Sequence, residues 1–76
     1  MTKYFHLWHW KSGNLLAEYQ SAEEAIDALA GAIEESDLAR VAEYGLVVYE
    51  DGKNTLYAED DELINLVANR IHAMSR

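Results

Sequence analysis

The chain has 76 residues, half of them hydrophobic, and contains no cysteine. Its length predicts one domain with a small core, which neither a disulfide nor a thiolate metal site stabilises. All 14 acidic residues lie between positions 18 and 62, where Arg40 and Lys53 are the only basic residues, so this segment has a net charge of −12 within a chain of −8. Because phosphate binding needs Lys and Arg, the charge argues against direct contact with nucleic acid or with an anionic membrane.

Neither a secretion signal nor a membrane span is evident. The first apolar run is short, contains two histidines and is followed by Lys11, without the small-residue cleavage site of a signal peptide. No run approaches the roughly 18 apolar residues of a transmembrane helix. We therefore expect a soluble, cytoplasmic protein, and the absence of cysteine is consistent with a reducing compartment.

The N-terminal residues are typical of a β-hairpin followed by a helix. Residues 3–10 are rich in aromatic side chains and predict a strand, Gly13 and Asn14 favour a turn, and residues 15–19 predict the returning strand. Ser21 begins a capping box, in which its hydroxyl accepts from the Glu24 amide and the Glu24 carboxylate accepts from the Ser21 amide. The helix should end near Ser36, with this apolar stripe: Ala22, Ala25, Ile26, Leu29 and Ile33.

The second half repeats this order. Residues 37–42 predict one further helical turn, with Leu38 and Val41 facing inward. Residues 46–49 and 55–58 are two strands, and Asp51-Gly52 between them predicts a two-residue turn with positive φ at both positions. The acidic run at 59–62 begins a second helix. Its apolar stripe is Leu63, Ile64, Val67, Ile71 and Met74, and the basic side chains of its later turns are Arg70, His72 and Arg76.

The predicted architecture is α+β, with the order ββαββα in a single domain of residues 1–76. Two helices with one apolar stripe each suffice to cover one face of a four-stranded, mostly antiparallel sheet. No predicted element remains for the other face. Residues 24–30 align with residues 62–68 at an offset of 38, which indicates either a duplicated unit, 1–38 and 39–76, or similar composition alone.

The first strand is aromatic on both faces. Alternation places Phe5, Leu7 and His9 on the face that the helices cover. The opposite face then carries Tyr4, His6, Trp8 and Trp10. Trp and Tyr are typical of binding hot spots, and a large exposed apolar patch is uncommon on a monomer. We predict a protein interface at these four residues; the alternatives are that a loop covers this face or that a shifted register places Trp8 in the core.

No pattern indicates a metal, a cofactor or a catalytic centre. His6 and His9 are three positions apart and lie on opposite faces of a strand, which disfavours a shared zinc ion. The acidic run at 59–62 lacks the spacing and the central glycine of a calcium-binding EF-hand loop. Ser12-Gly13 does not match a nucleophile elbow. We therefore predict no enzyme activity, no bound metal and no cofactor.

The N-terminal residues also carry a resemblance. Trp8, the residues SGNLL at 12–16, Tyr19 and the helix start at residues 24–26 are similar to small uncharacterised bacterial or phage-type proteins with a Trp, a Ser-Gly-Asn hairpin turn and a Glu-Ala-rich helix. The resemblance covers roughly the first 30 residues. It implies a compact accessory protein and no particular activity. The chain departs from the pattern at His9, where an acidic residue usually follows the Trp.

Three functions are compatible with these features. The first is a non-enzymatic interaction module that forms a homodimer through its aromatic sheet face. The second is an acidic inhibitor or nucleic-acid mimic, of the antitoxin, anti-restriction or anti-CRISPR type, that binds a basic protein. The third is a small enzyme or ligand-binding domain that uses the aromatic face for stacking. It has the least support, since no catalytic arrangement is visible.

Overall fold

The computed structural model describes residues 3–74. Its architecture is the predicted α+β order ββαββα, and a 3₁₀ segment before the second hairpin lies where we predicted one further helical turn. The first strand ends at His9, so Trp10 belongs to the turn, and the other strands are longer than predicted. The elements are β1 (Lys3–His9), β2 (Asn14–Tyr19), α1 (Ala22–Ala32), the 3₁₀ segment (Glu35–Glu43), β3 (Tyr44–Glu50), β4 (Lys53–Glu59) and α2 (Asp60–Met74).

The four strands form one antiparallel sheet in the order β2-β1-β3-β4. The first strand of each hairpin is central, and the second strand forms an edge. Across the central pair, Leu7 lies opposite Leu46 on one face, and Trp8 lies opposite Gly45 on the other. Asp51 and Gly52 connect β3 to β4 with φ values of 52° and 81°, which confirms the predicted two-residue turn.

Each hairpin contains a β-bulge at the corresponding position. In the first hairpin the register shifts after Leu7, and in the second it shifts after Leu46. The shifts leave one extra residue on each edge strand, Leu16 on β2 and Tyr57 on β4. Tyr57 contacts the ring of Phe5 edge-on, with ring centroids 5.3 Å apart. Matching bulges are what a duplicated hairpin-helix unit would produce, and the duplication itself remains a prediction.

The core lies between the sheet and the helical elements. Both helices and the 3₁₀ segment pack on the sheet face that carries Phe5 and Leu7, as predicted. Val41 of the 3₁₀ segment is fully buried and Leu38 is half-buried, so this segment faces inward as expected. The buried residues form a single apolar cluster: Phe5, Leu7, Ala25, Leu29, Ile33, Val41, Leu46, Ala58, Leu63 and Val67.

The first helix confirms half of its predicted capping box. The Ser21 hydroxyl accepts from the Glu24 amide at 3.2 Å. The Glu24 carboxylate, however, accepts from the Gln20 amide at 3.1 Å, and not from the Ser21 amide as we predicted. The helix does not reach the predicted end near Ser36, because it ends at Ala32. Ile33 already has an extended backbone, and its side chain is buried in the core. A helix that continued past Ile33 would place the Glu34 carboxylate at the negative end of the helix dipole, which is unfavourable.

The apolar stripe of α2 is only partly buried. Leu63 and Val67 are fully buried, whereas Met74, predicted as a member of the stripe, is 52% exposed. Helical periodicity predicts the direction of a side chain but not whether a partner reaches that far along the helix. Arg76 lies outside the described residues. Among residues 3–74, no helix combines the length and the apolar character that a membrane crossing requires.

Candidate protein interface on the open face of the sheet

We call the sheet surface that points away from the helices the open face. Within residues 3–74 all helical elements lie on the other side, so none of them covers it. Register places on it alternate residues from all four strands, together with one residue from the first turn. These residues are Tyr4, His6, Trp8, Trp10, Leu15, Glu18, Val47, Tyr49, Asn54, Leu56 and Glu59.

Two tryptophans dominate one end of the open face. Trp10 follows β1, and its amide donates to the Glu43 carbonyl at 2.8 Å. The Trp10 side chain folds back over the sheet, and its ring lies on the backbone of Gly45. There the ring stacks on Trp8, with centroids 6.3 Å apart and planes inclined by 13°. Trp10 remains 41% exposed, so one side of its ring is available to a partner.

In the middle of the open face lies a polar side chain, His6, which is hydrogen-bonded within the chain. The His6 ring donates from Nε2 to the Glu18 carboxylate at 2.9 Å across β1 and β2. The same ring stacks on Tyr49 of β3, with centroids 5.9 Å apart. His6 therefore links both neighbouring strands and has one of its nitrogens satisfied within the chain.

Among residues 3–74, the carboxylates of the open face lie at its edges. The central strands β1 and β3 place no acidic residue, lysine or arginine on it. The edge strands contribute Glu18 and Glu59. Lys3 lies on the helix side, where its ammonium group is 5.7 Å from the centre of the Phe5 ring. The open face therefore has an uncharged centre between two edge carboxylates.

All four residues predicted for the interface lie on the open face. Trp10 is exposed, while Tyr4, His6 and Trp8 are half-buried by their neighbours on the sheet. Trp8 is not part of the core cluster, which removes the alternative in which a shifted register buries it. Sequence reasoning missed the contribution of the other strands. Alternation within β3 predicts that Val47 and Tyr49 share a face, but their position beside β1 depends on the strand order.

A hydrogen-bonded chain on the other side of β1 was also missed. His9 Nδ1 lies 2.7 Å from the Ser12 hydroxyl, and His9 Nε2 lies 3.1 Å from the Glu43 carboxylate. The ionised carboxylate only accepts, so Nε2–H donates to it and, in the neutral ring, Nδ1 accepts from Ser12. This hydrogen bond from His9 is the main cause of a lowered pKa at Glu43, with Lys11 contributing through its charge. We call this arrangement the His9 bridge.

The His9 bridge contains the three residue types of a hydrolase triad, but its geometry fits a structural role. The nucleophile and the carboxylate bond to the opposite ring nitrogens from those used in the serine protease triad. The Gly13 amide already donates to the carbonyls of His9 and Trp10, so it does not point toward an oxyanion. Ser12 lies on an exposed turn. The bridge therefore ties the first turn to the end of the 3₁₀ segment.

A shallow groove between the helices is a second surface feature. It has a volume of about 340 Å³, and the Asp27–Arg70 ion pair crosses it. This volume is near the lower end of ligand pockets, and the groove is open to solvent. Among residues 3–74 no group of three or more His, Asp or Glu side chains is arranged to hold a metal ion. His6 and His9 lie on opposite faces of β1, as predicted.

The fold and the open face define an α+β sheet protein with one aromatic sheet face that no helical element of residues 3–74 covers. No family model matches the chain, and neither the curated proteins nor the solved structures give a significant match. The resemblance of the N-terminal 30 residues to bacterial or phage-type proteins therefore remains a prediction.

Proposed function

We propose that the protein is a non-enzymatic interaction module that self-associates as a homodimer through its open face. The observation that carries this proposal is an aromatic sheet face with an uncharged centre, which no helical element of residues 3–74 covers. Two such faces would pack as the sheets of a β-sandwich do, about 10 Å apart with interdigitating side chains. The side chains that would be buried most are Trp8, Trp10, Tyr4 and Val47.

Net charge supports a copy of the chain as the occupant. Two chains of charge −8 repel each other, so contact is favoured only where the surfaces that meet are uncharged. The centre of the open face satisfies this condition, since its two carboxylates, Glu18 and Glu59, belong to the edge strands. A core of only ten described residues also leaves the domain with stability to gain from further burial.

The size of the open face sets the expected affinity. Four strands about 4.8 Å apart and seven residues rising about 3.3 Å each give a face of about 440 Å². Two such faces bury roughly 880 Å², below the 1,200–2,000 Å² or so of standard interfaces. We therefore expect a reversible dimer with a dissociation constant in the micromolar range.

A charged substitution at the centre of the open face tests the proposal. Val47→Glu places a carboxylate between the aromatic residues and should give a monomer at concentrations where the native chain is a dimer. Thr55→Glu is the matched control, because it adds the same charge at an exposed position in register with Val48 on the other face. Sedimentation velocity over the micromolar range measures both. A native chain that stays monomeric, or a Val47→Glu variant that dimerises normally, contradicts the proposal.

The second candidate is an acidic inhibitor or nucleic-acid mimic that binds a basic protein. It is favoured by the packing of the 3₁₀ segment against α2, because both elements carry acidic residues. The described acids of these elements are Glu35, Asp37, Glu43, Asp60, Asp61 and Glu62, with Arg40 among them. A nucleic-acid-binding partner captured at low salt should be released by salt and by competing DNA. Capture that recovers no basic protein contradicts this candidate.

A further inference from the structure

Trp10 is held on the open face from three directions. Its amide is bonded to the Glu43 carbonyl, its ring lies on Gly45, and the ring stacks on Trp8. A side chain that projects from a turn ordinarily samples several rotamers, and binding then has to immobilise it. Here the contacts that order Trp10 are made within the monomer.

Gly45 is required for this arrangement. It lies inside β3 on a central strand, where glycine is ordinarily unfavourable because it has no side chain to pack. A Cβ atom built on Gly45 would overlap the five-membered and six-membered rings of the Trp10 indole. The glycine therefore marks the close approach of an aromatic ring to the backbone, and the indole takes the place of the missing side chain.

The His9 bridge holds the backbone of the same turn. It joins Ser12, at the far side of the turn, to Glu43, whose carbonyl accepts the Trp10 amide. The bridge is satisfied in either protonation state of the ring. A protonated ring donates from Nδ1 to Ser12, and the hydroxyl can then donate to the His9 carbonyl, 3.4 Å away. The position of Trp10 is thus fixed through both its side chain and its backbone.

We propose that Gly45 and His9 are positioning residues that preorganise Trp10 as the anchor of the open-face interface. This inference rests on the proposed self-association and adds that Trp10 is already in its bound orientation in the monomer. Ordering one such side chain in advance is worth roughly 2- to 10-fold, and the dimer contains two of them, so preorganisation should strengthen it by roughly 4- to 100-fold. The partner is a second copy of the chain, whose open face receives the exposed side of the Trp10 ring.

The first measurement addresses the monomer alone. In the Val47→Glu background, the Gly45 Hα protons should resonate upfield of their usual position, because they lie under the Trp10 ring, and should show NOEs to the indole. His9→Ala should move these resonances toward their usual position. Gly45 Hα protons without an upfield shift, or a shift that His9→Ala leaves unchanged, would overturn the positioning role whether or not the native chain dimerises.

The second measurement addresses binding. In the otherwise native chain, His9→Ala and Gly45→Ala each act in both protomers and should raise the dimer Kd by roughly 4- to 100-fold. Gly31→Ala is the control, since Gly31 is exposed and a Cβ atom there meets nothing within 4 Å. Unchanged Kd values in a chain that dimerises would overturn the positioning role alone. A native chain that stays monomeric while its Gly45 Hα protons are shifted would instead overturn the proposed self-association.

Discussion

Trp8 and Gly45 are paired directly across the two central strands. Because Gly45 has no side chain, the space beside Trp8 is filled by the ring of Trp10, which stacks on it. One residue pair across the two central strands therefore supports two indoles. This relationship concentrates apolar surface on the face that the helices leave uncovered.

Gly45→Ala should destabilise the fold as well as displace Trp10. The added methyl group overlaps the indole, and overpacking of this kind costs about 1–3 kcal/mol of unfolding free energy. Urea unfolding followed by far-UV circular dichroism measures the loss. Gly31→Ala should leave stability equal or slightly higher, since alanine is favoured over glycine in helices. Equal stabilities of Gly45→Ala and the native chain would show that the indole is not held there.

Leu63→Ala should lower the free energy of unfolding more than Gly45→Ala does. Leu63 is fully buried in the core cluster, and removing a buried leucine costs about 2–5 kcal/mol. Met74→Ala is the informative control, because Met74 belongs to the same apolar stripe but is exposed, and its loss should stay within about 0.5 kcal/mol. Comparable losses at the two positions in urea unfolding would contradict the packing described for α2.

Helical periodicity correctly placed Leu63 in the core but also assigned Met74, which is exposed, to the same stripe. Alternation in β1 correctly assigned Phe5 and Leu7 to the core, and the Asp-Gly pair correctly predicted the second turn. Local patterns carry no information on strand order, so the position of Val47 and Tyr49 beside the aromatic strand was not predicted. The Gly45–Trp10 contact was missed for the same reason, although a glycine in a strand is itself a signal of close approach.

Salt should distinguish the two candidate functions. Dimerisation of a chain with net charge −8 is opposed by repulsion, which salt screens, so the dimer should strengthen from low to physiological ionic strength. Binding of a basic partner should weaken over the same range. Sedimentation velocity at several salt concentrations measures the first effect. A dimer that dissociates steeply as salt is added would contradict an interface with an uncharged centre.

Acid should weaken the His9 bridge. The hydrogen bond from His9 lowers the pKa of Glu43 in the folded chain, with the charges of Lys11, His9 and Arg40 adding to the effect. The charged carboxylate therefore stabilises the fold above the ordinary glutamate pKa of about 4.3, and this contribution is lost as pH falls through the lower, folded value. The measurement is the difference in unfolding free energy between the native chain and Glu43→Gln. This difference should be present near pH 5 and vanish in stronger acid; no decline would contradict the bridge.

The most direct test of the central claim is an isotope-filtered NOE experiment on a mixed sample of labelled and unlabelled chains at a concentration where the dimer forms. Our account predicts intermolecular NOEs that connect the indoles of Trp8 and Trp10 and the methyl groups of Val47 with residues of the partner's open face. Intermolecular NOEs confined to the helices, or none from a chain that sediments as a dimer, would contradict self-association through the open face.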